Sequence, residues 1–179
     1  SPNVLLIYTD DQGYRDLGVY GAVGFKTPHI DKLAAEGLRL TNFYVSQATC
    51  TSSRVSIRTG CYANRIGVMG ALMPTANHGL HEQEETLAEL LQERGYATGF
   101  VGKWHMGHHP QFLPTRHGYD EWFGLPYSND MMPPWVQTRV PLWLYEGTKR
   151  IEHPVNQDTL TTRYTERAVK FLERDYDKP

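Results

Sequence analysis

Apolar positions fall in short runs between glycine-rich and polar stretches, and their period changes along the chain. Residues 3–8 (NVLLIY) are continuously apolar and end in Thr9-Asp10-Asp11, the pattern of a strand covered on both faces. Gly13, Gly18, Gly21 and Gly24 mark a loop. Thr27-Pro28 reads as a helix start with proline at the first helical position. Ile30, Leu33 and Ala34 form that helix's stripe, and Gly37 ends it. Residues 38–45 alternate and predict a second strand. Residues 52–59 predict a short helix closed by Gly60. Residues 85–94 predict another, with Leu87, Leu90 and Leu91 on one face and Gly95 as its stop. Residues 96–101 predict a buried strand leading into Gly102-Lys103-Trp104-His105, and 159–174 a helix lined by Leu160, Tyr164, Ala168 and Phe171 or Leu172. Strands alternating with helices predict an α/β fold, with a mainly parallel sheet sandwiched by helices. In such sheets ligands gather at the carboxyl ends of strands, where Asp10-Asp11 and Lys103/His105 both fall.

The stretch 107–157 has little periodicity, many prolines and three of the four tryptophans. Its aromatic content argues against disorder, so it is expected as an ordered irregular segment that shapes a pocket. After the last helix, residues 173–179 read as the lead-in to a strand that does not follow, which predicts an N-terminal portion of a larger domain. The start at Ser1-Pro2-Asn3, with neither an initiator methionine nor an apolar leader, predicts a mature or trimmed product.

Composition narrows the classes. The 179 residues are 40% hydrophobic and 21% charged, with 18 Lys+Arg against 20 Asp+Glu, values of an ordinary globular chain. A net charge of −2 lacks the basic excess of a nucleic-acid binder, and no apolar run reaches the length of a membrane span. Cys50 and Cys61 are too few for a disulfide framework.

Three groups of residues could carry chemistry. Asp10 and Asp11 suit a hard cation if the chain turns there so that both carboxylates converge; a simple strand-exit turn is the commoner use of such a pair. Cys50 stands at a helix start one turn before Arg54, where helix dipole and guanidinium favour a thiolate or a bound anion. A small buried thiol, or a Cys50–Cys61 bridge, remains open beside that reading. Lys103 and His105, two residues apart, point the same way on extended backbone, placing a fixed charge beside a titratable imidazole; an exposed charged strand end is the plainer alternative. His108-His109 forms a weak metal pair of the kind that is more often solvated.

Taken in order, these segments resemble the sulfatase family of the alkaline-phosphatase-like superfamily. The resemblance is carried by residues 2–14 with Asp10-Asp11, by Thr27-Pro28-His29-Ile30-Asp31, and by Cys50-Thr51-Ser52-Ser53-Arg54 followed by Thr59-Gly60. It continues through Gly102-Lys103-Trp104-His105-Met106-Gly107, Gly118-Tyr119-Asp120-Glu121-Trp122-Phe123-Gly124 and Pro126-Tyr127-Ser128-Asn129-Asp130. It covers the whole chain and implies the N-terminal part of a catalytic domain over residues 1–179.

The resemblance implies hydrolysis of sulfate esters, of a sulfated glycan or an aryl sulfate. Cys50, oxidised to formylglycine by a maturation enzyme and then hydrated, would supply a geminal diol that attacks sulfur. Arg54 would hold the diol, and Lys103 a sulfate oxygen. His105 would take the proton of the second hydroxyl, so that the sulfated hemiacetal collapses and releases sulfate. Ser128 would orient that histidine or the substrate. Asp10, Asp11 and the converted Cys50 would ligate a divalent cation, Ca2+ before Mg2+. The rest of the shell and the leaving-group acid lie, in family members, beyond the part matched here, so this chain alone is expected to be inactive. The resemblance also implies a periplasmic or secreted protein. Two positions depart from the family pattern: Ser52 stands where Pro or Ala is usual, and Cys61 where Arg is usual. A phosphate or phosphonate monoester hydrolase of the same superfamily, and a non-catalytic anion-binding relative with unmatured Cys50, are the competing readings.

Overall fold

The computed structural model describes residues 2–174 and Tyr176. The chain divides into two units, Asn3–Val45 and the stretch from Ser46 onward together with the first residues.

In the larger unit, helices α2 (Cys50–Thr59) and α3 (Ala63–Ile66) precede α4 (Leu87–Gln92) and strand β1 (Gly99–Lys103). Strands β2 (Glu121–Leu125), β3 (Leu144–Glu146) and β4 (Lys149–Glu152) follow, and α5 (Leu160–Leu172) is last. The sheet order is β1-β2-β3-β4. Only β1 and β2 are parallel, in register from Gly99 opposite Glu121 to Lys103 opposite Leu125; β2–β3 and β3–β4 are antiparallel. The sheet described is therefore mixed rather than mainly parallel. The reason is local: Gly147, at φ +58, closes β3 onto β4 as a tight hairpin, a connection available only to antiparallel strands. Residues 107–157 thus hold three of the four strands, concealed in the sequence by the prolines and turns around them.

Alternation on β2 sorts the core. Trp122 joins a cluster with Val55, Val68, Leu72, Leu80, Trp104 and Met106, on the α2 side. Phe123 and Leu125 join Tyr127, Met131, Leu142, Leu144 and Leu160, on the α5 side. Successive side chains of a strand point to opposite faces, so one strand supplies both layers and helices cover both faces, as expected. Gly102 and Gly124 face each other across the parallel pair, and a Cβ on Gly124 would run into the Gly102 carbonyl oxygen. Only glycine fits there.

Helix ends follow the sequence closely. Gly60 closes α2 at φ +69. The helix expected over 85–94 begins later because Thr86 is its N-cap: Thr86 Oγ1 accepts from the Glu89 amide at 3.2 Å, and Glu89 Oε2 accepts from the Thr86 amide at 2.8 Å. This reciprocal capping box is written in the sequence as Thr-x-x-Glu. The strand expected over 96–101 is shifted to Gly99–Lys103.

In the smaller unit, α1 (Pro28–Glu36) ends at Gly37 as expected. Thr27 does not cap it through its side chain. Instead Thr27 Oγ1 accepts from the Gly18 amide at 2.8 Å and donates to Asp31 Oδ1 at 3.0 Å, which also accepts from the Val19 amide. The two strands expected at 3–8 and 38–45 are not formed. Val4, Leu5, Leu6 and Ile7 are 49–74% exposed, and within this unit no ladder pairs them. An apolar run becomes a strand only when a neighbour takes its amides and carbonyls. The run 173–179, expected as a lead-in to a further strand, lies partly outside the described residues. No helix of the described residues is long and apolar enough to cross a membrane.

Candidate active site

Hydrogen bonds tie the end of β1 to the start of α2 and to the segment after β2. Lys103 is the last residue of β1, and the parallel ladder runs on past it: the Trp104 amide donates to the Leu125 carbonyl at 2.9 Å, and the His105 amide to that of Pro126 at 3.1 Å. This fixes the backbone that carries Lys103 and His105 against the segment that carries Ser128.

Cys50 is the first residue of α2, half-buried, with its thiol reduced. One turn on, Arg54 is 4% exposed, and its guanidinium donates to the Lys103 carbonyl at 2.8 Å. Arg58 donates to the Arg54 carbonyl at 3.3 Å while lying over Phe100 and Trp104, at 4.9 and 5.7 Å from the ring centroids. The α2 cations are thus held by backbone carbonyls and aromatic faces.

Leu72 forms the second tie. Its amide donates to Thr51 Oγ1 at 3.0 Å, and its carbonyl lies 2.9 Å from His105 Nε2. A carbonyl only accepts, so Nε2 carries the proton, and in the neutral ring Nδ1 is the basic nitrogen. The backbone of one residue, Leu72, therefore links the residue after Cys50 to the orientation and tautomer of His105. The third tie is Lys103 Nζ, which donates to Ser128 Oγ at 3.2 Å.

The structure thus brings Arg54, Lys103, His105 and Ser128 to one strand end, with Cys50 one turn before Arg54 at the head of α2. It alters one expectation: Lys103 and His105 do not share a strand face. His105 has φ +58, a backbone state outside the extended region, and its ring turns to Leu72 while Lys103 reaches Ser128. Ser52 is fully buried, and its amide and hydroxyl both donate to the Gly70 carbonyl, at 3.3 and 3.2 Å. The fold accepts serine there with its polar groups satisfied. Cys50 and Cys61 are not bridged; the ten-residue α2 separates them, about 15 Å of helix against the ~7 Å limit of a disulfide. Sequence reasoning missed Leu72, whose role belongs to its backbone alone.

Asp10 and Asp11 lie in the smaller unit at an exposed bend. Asp11 has φ +52, so the chain does turn at this pair, as a shared ion requires, although no strand precedes it. The donors suit a hard divalent cation in kind, but two carboxylates give only part of the six to eight oxygens of a calcium shell. Among the described residues no group of three or more His, Cys, Asp or Glu side chains is placed to hold a metal.

Comparison with known proteins places the chain in a family. The sulfatase family model matches residues 2–179, and the chain belongs to that family. It is 40% identical over 198 residues to arylsulfatase G of Rattus norvegicus, covering 97% of this chain and 38% of the relative. It is 39% identical over 194 residues to human N-acetylgalactosamine-6-sulfatase, covering 97% and 36%. Among solved structures, the PsFucS1 sulfatase from Pseudoalteromonas sp. superposes with a TM-score of 0.75 at 33% identity, over 90% of this chain and 38% of that one. The fold is that of the alkaline-phosphatase-like superfamily, present in part. The chain spans under two fifths of the length of these relatives.

Proposed function

We propose that this chain is the part of a sulfuric ester hydrolase that supplies the nucleophile and the sulfate-holding groups, acting on a sulfated glycan or an aryl sulfate. The observation that carries this reading is the tie from Thr51 through Leu72 to His105, beside the Arg54–Lys103 and Lys103–Ser128 bonds. Formylglycine at position 50 would provide, when hydrated, a hydroxyl that attacks sulfur and a second whose proton must leave. Arg54 is held where its positive charge favours an anionic oxygen at the head of α2, a helix end that itself attracts anions. Lys103, steadied by Ser128, binds a sulfate oxygen and stabilises the charge that builds on it. His105, with Nε2 committed to Leu72, takes a proton at Nδ1. Asp10 and Asp11 are the residues that would hold a divalent cation, calcium before magnesium, which would polarise the reacting oxygens. The sugar-directed name of one relative supports a glycan substrate. The family supports a periplasmic or secreted location.

The test uses the full-length protein, made with its own maturation system. The tryptic peptide 40–54 is expected to carry formylglycine at position 50, and the protein to hydrolyse sulfate esters faster than matched phosphate esters. An unmodified thiol together with no sulfate-ester turnover overturns the proposal and favours the non-catalytic, anion-binding reading. Preference for the phosphate ester favours the phosphatase reading.

A further inference from the structure

The serine that receives Lys103 stands on irregular chain: β2 ends at Leu125 and the next strand opens only at Leu144. Ser128 is buried, yet Asn129 and Asp130, the two residues after it, are exposed. Such a segment keeps one geometry only where particular bonds hold it, because ordering it costs conformational entropy. On the upstream side the Pro126 carbonyl takes the His105 amide at 3.1 Å, and the Tyr127 hydroxyl donates to the Pro141 carbonyl at 2.9 Å. On the downstream side the Met131 amide donates to the Ser128 carbonyl at 3.1 Å, which closes a turn.

That turn is anchored from 28 positions further along the chain. Gln157 opens the short 3-10 turn Gln157–Thr159 that leads into α5. Its carboxamide forms a reciprocal pair with Asn129: Gln157 Oε1 accepts from Asn129 Nδ2 at 3.0 Å, and Gln157 Nε2 donates to the Asn129 carbonyl at 2.9 Å. A carbonyl only accepts, so the nitrogen of Gln157 must face it. The same nitrogen lies 3.3 Å from the Met132 sulfur. Gln157 has its own support, since the neighbouring Asn156 amide donates to Glu152 Oε1 at 2.8 Å, and Glu152 pairs with Arg163 of α5 at 2.7 Å. Apolar packing already holds this loop to α5, through Met131 and Leu160 in one cluster. The carboxamide pair adds direction, fixing both the side chain and the main chain of the residue next to Ser128.

We propose that Gln157 is a positioning residue for sulfate binding. By clamping Asn129 it sets Ser128 Oγ where Lys103 Nζ donates to it at 3.2 Å, and so aims the Lys103 charge. The inference rests on the sulfatase reading above, and it gives the head of α5 a part in a site otherwise carried by α2, β1 and the segment after β2.

The test uses the matured full-length enzyme and a double-mutant cycle between Gln157→Leu and Ser128→Ala, read as kcat/KM on a sulfate ester. Gln157→Leu keeps the side chain's bulk and removes both bonds, and should lower kcat/KM about three- to tenfold, the scale of one or two hydrogen bonds. In the Ser128→Ala background the same change should cost less than about twofold, because the group it positions is gone. Asn129→Ala, at an exposed site, removes only the side-chain bond and should show a smaller loss that also cancels there. A brace that merely supports the fold would cost the same in both backgrounds; that result, or no loss in Gln157→Leu and Asn129→Ala, overturns the proposal. Hydrogen exchange gives a readout that needs no turnover: the Met131 amide should exchange faster in Gln157→Leu, with the Trp104 amide unchanged. If wild type hydrolyses no sulfate ester, the sulfatase reading has failed and the clamp on Ser128 is judged by exchange alone. Faster exchange at Met131 then upholds it, and unchanged exchange overturns it.

Discussion

No residue between positions 3 and 45 is buried, whereas every member of both hydrophobic clusters lies between Val55 and Leu160. Apolar content does not explain this, because residues 3–45 are richer in apolar side chains than the rest of the chain. Residues 3–8 read as more hydrophobic than any strand of the sheet, yet Ile7 is 74% exposed while Trp122 is 2% exposed. The smaller unit is organised by polar ties around Asp31, which gathers Thr27 and the Val19 amide. The larger one is organised by side chains that meet from distant parts of the chain. Hydrophobicity therefore marks what could be buried, and partners decide what is.

Substitutions can break or sharpen this contrast. Trp104→Ala, at the centre of the larger unit and fully buried, should cost about 3–5 kcal/mol in denaturant unfolding. Thr51→Val keeps the shape but removes the acceptor of the Leu72 amide, both of them buried. It should cost about 1–3 kcal/mol and, in the matured full-length enzyme, lower kcat more than KM changes, because Leu72 also orients His105. Thr86→Ala removes the capping box of α4 and should cost about 1 kcal/mol.

His117 gives a slope rather than a step. It is fully buried, stacks on Trp104 at 5.8 Å, and neither ring nitrogen has a hydrogen-bond partner among the described residues. Burial lowers its pKa from 6.5, against a smaller opposing pull from Glu89 and Glu82. The folded state then binds a proton less readily than the unfolded one. Stability is full above about pH 6.5 and falls as pH drops through the window below it, until the folded pKa is passed. Melting temperatures from pH 8 down to pH 5 should show this decline, and His117→Phe should flatten it, leaving the share of His108, which is lowered in the same sense. The smallest effect is expected in the other region: Leu6→Ala, at a site 49% exposed, should change stability by less than about 0.5 kcal/mol. A loss as large as that of a core residue would mean that residues 3–8 are buried in solution.

Much of the site was legible before any coordinates. The helix expected over 52–59, which the fold starts two residues earlier at Cys50 and closes at Gly60 as expected, and the placement of Lys103 at a strand end, follow from glycine stops and apolar runs, which are local signals. The capping box at Thr86 was equally local and could have been read. The direction of the later strands was not legible. Pairing depends on which distant segment lies alongside, and 107–157 hides its strands among turns. Residue types at a given spacing, together with the ordered family motifs, determined which groups could do chemistry: Cys50, Arg54, Lys103, His105 and Ser128. The tertiary structure alone decided how they face one another. The positive φ of His105 overrides strand alternation, and the carbonyl of Leu72, a residue whose side chain says nothing of this role, sets the histidine's tautomer. Backbone groups are identical at every residue, so what they bond to is fixed only when the chain has folded.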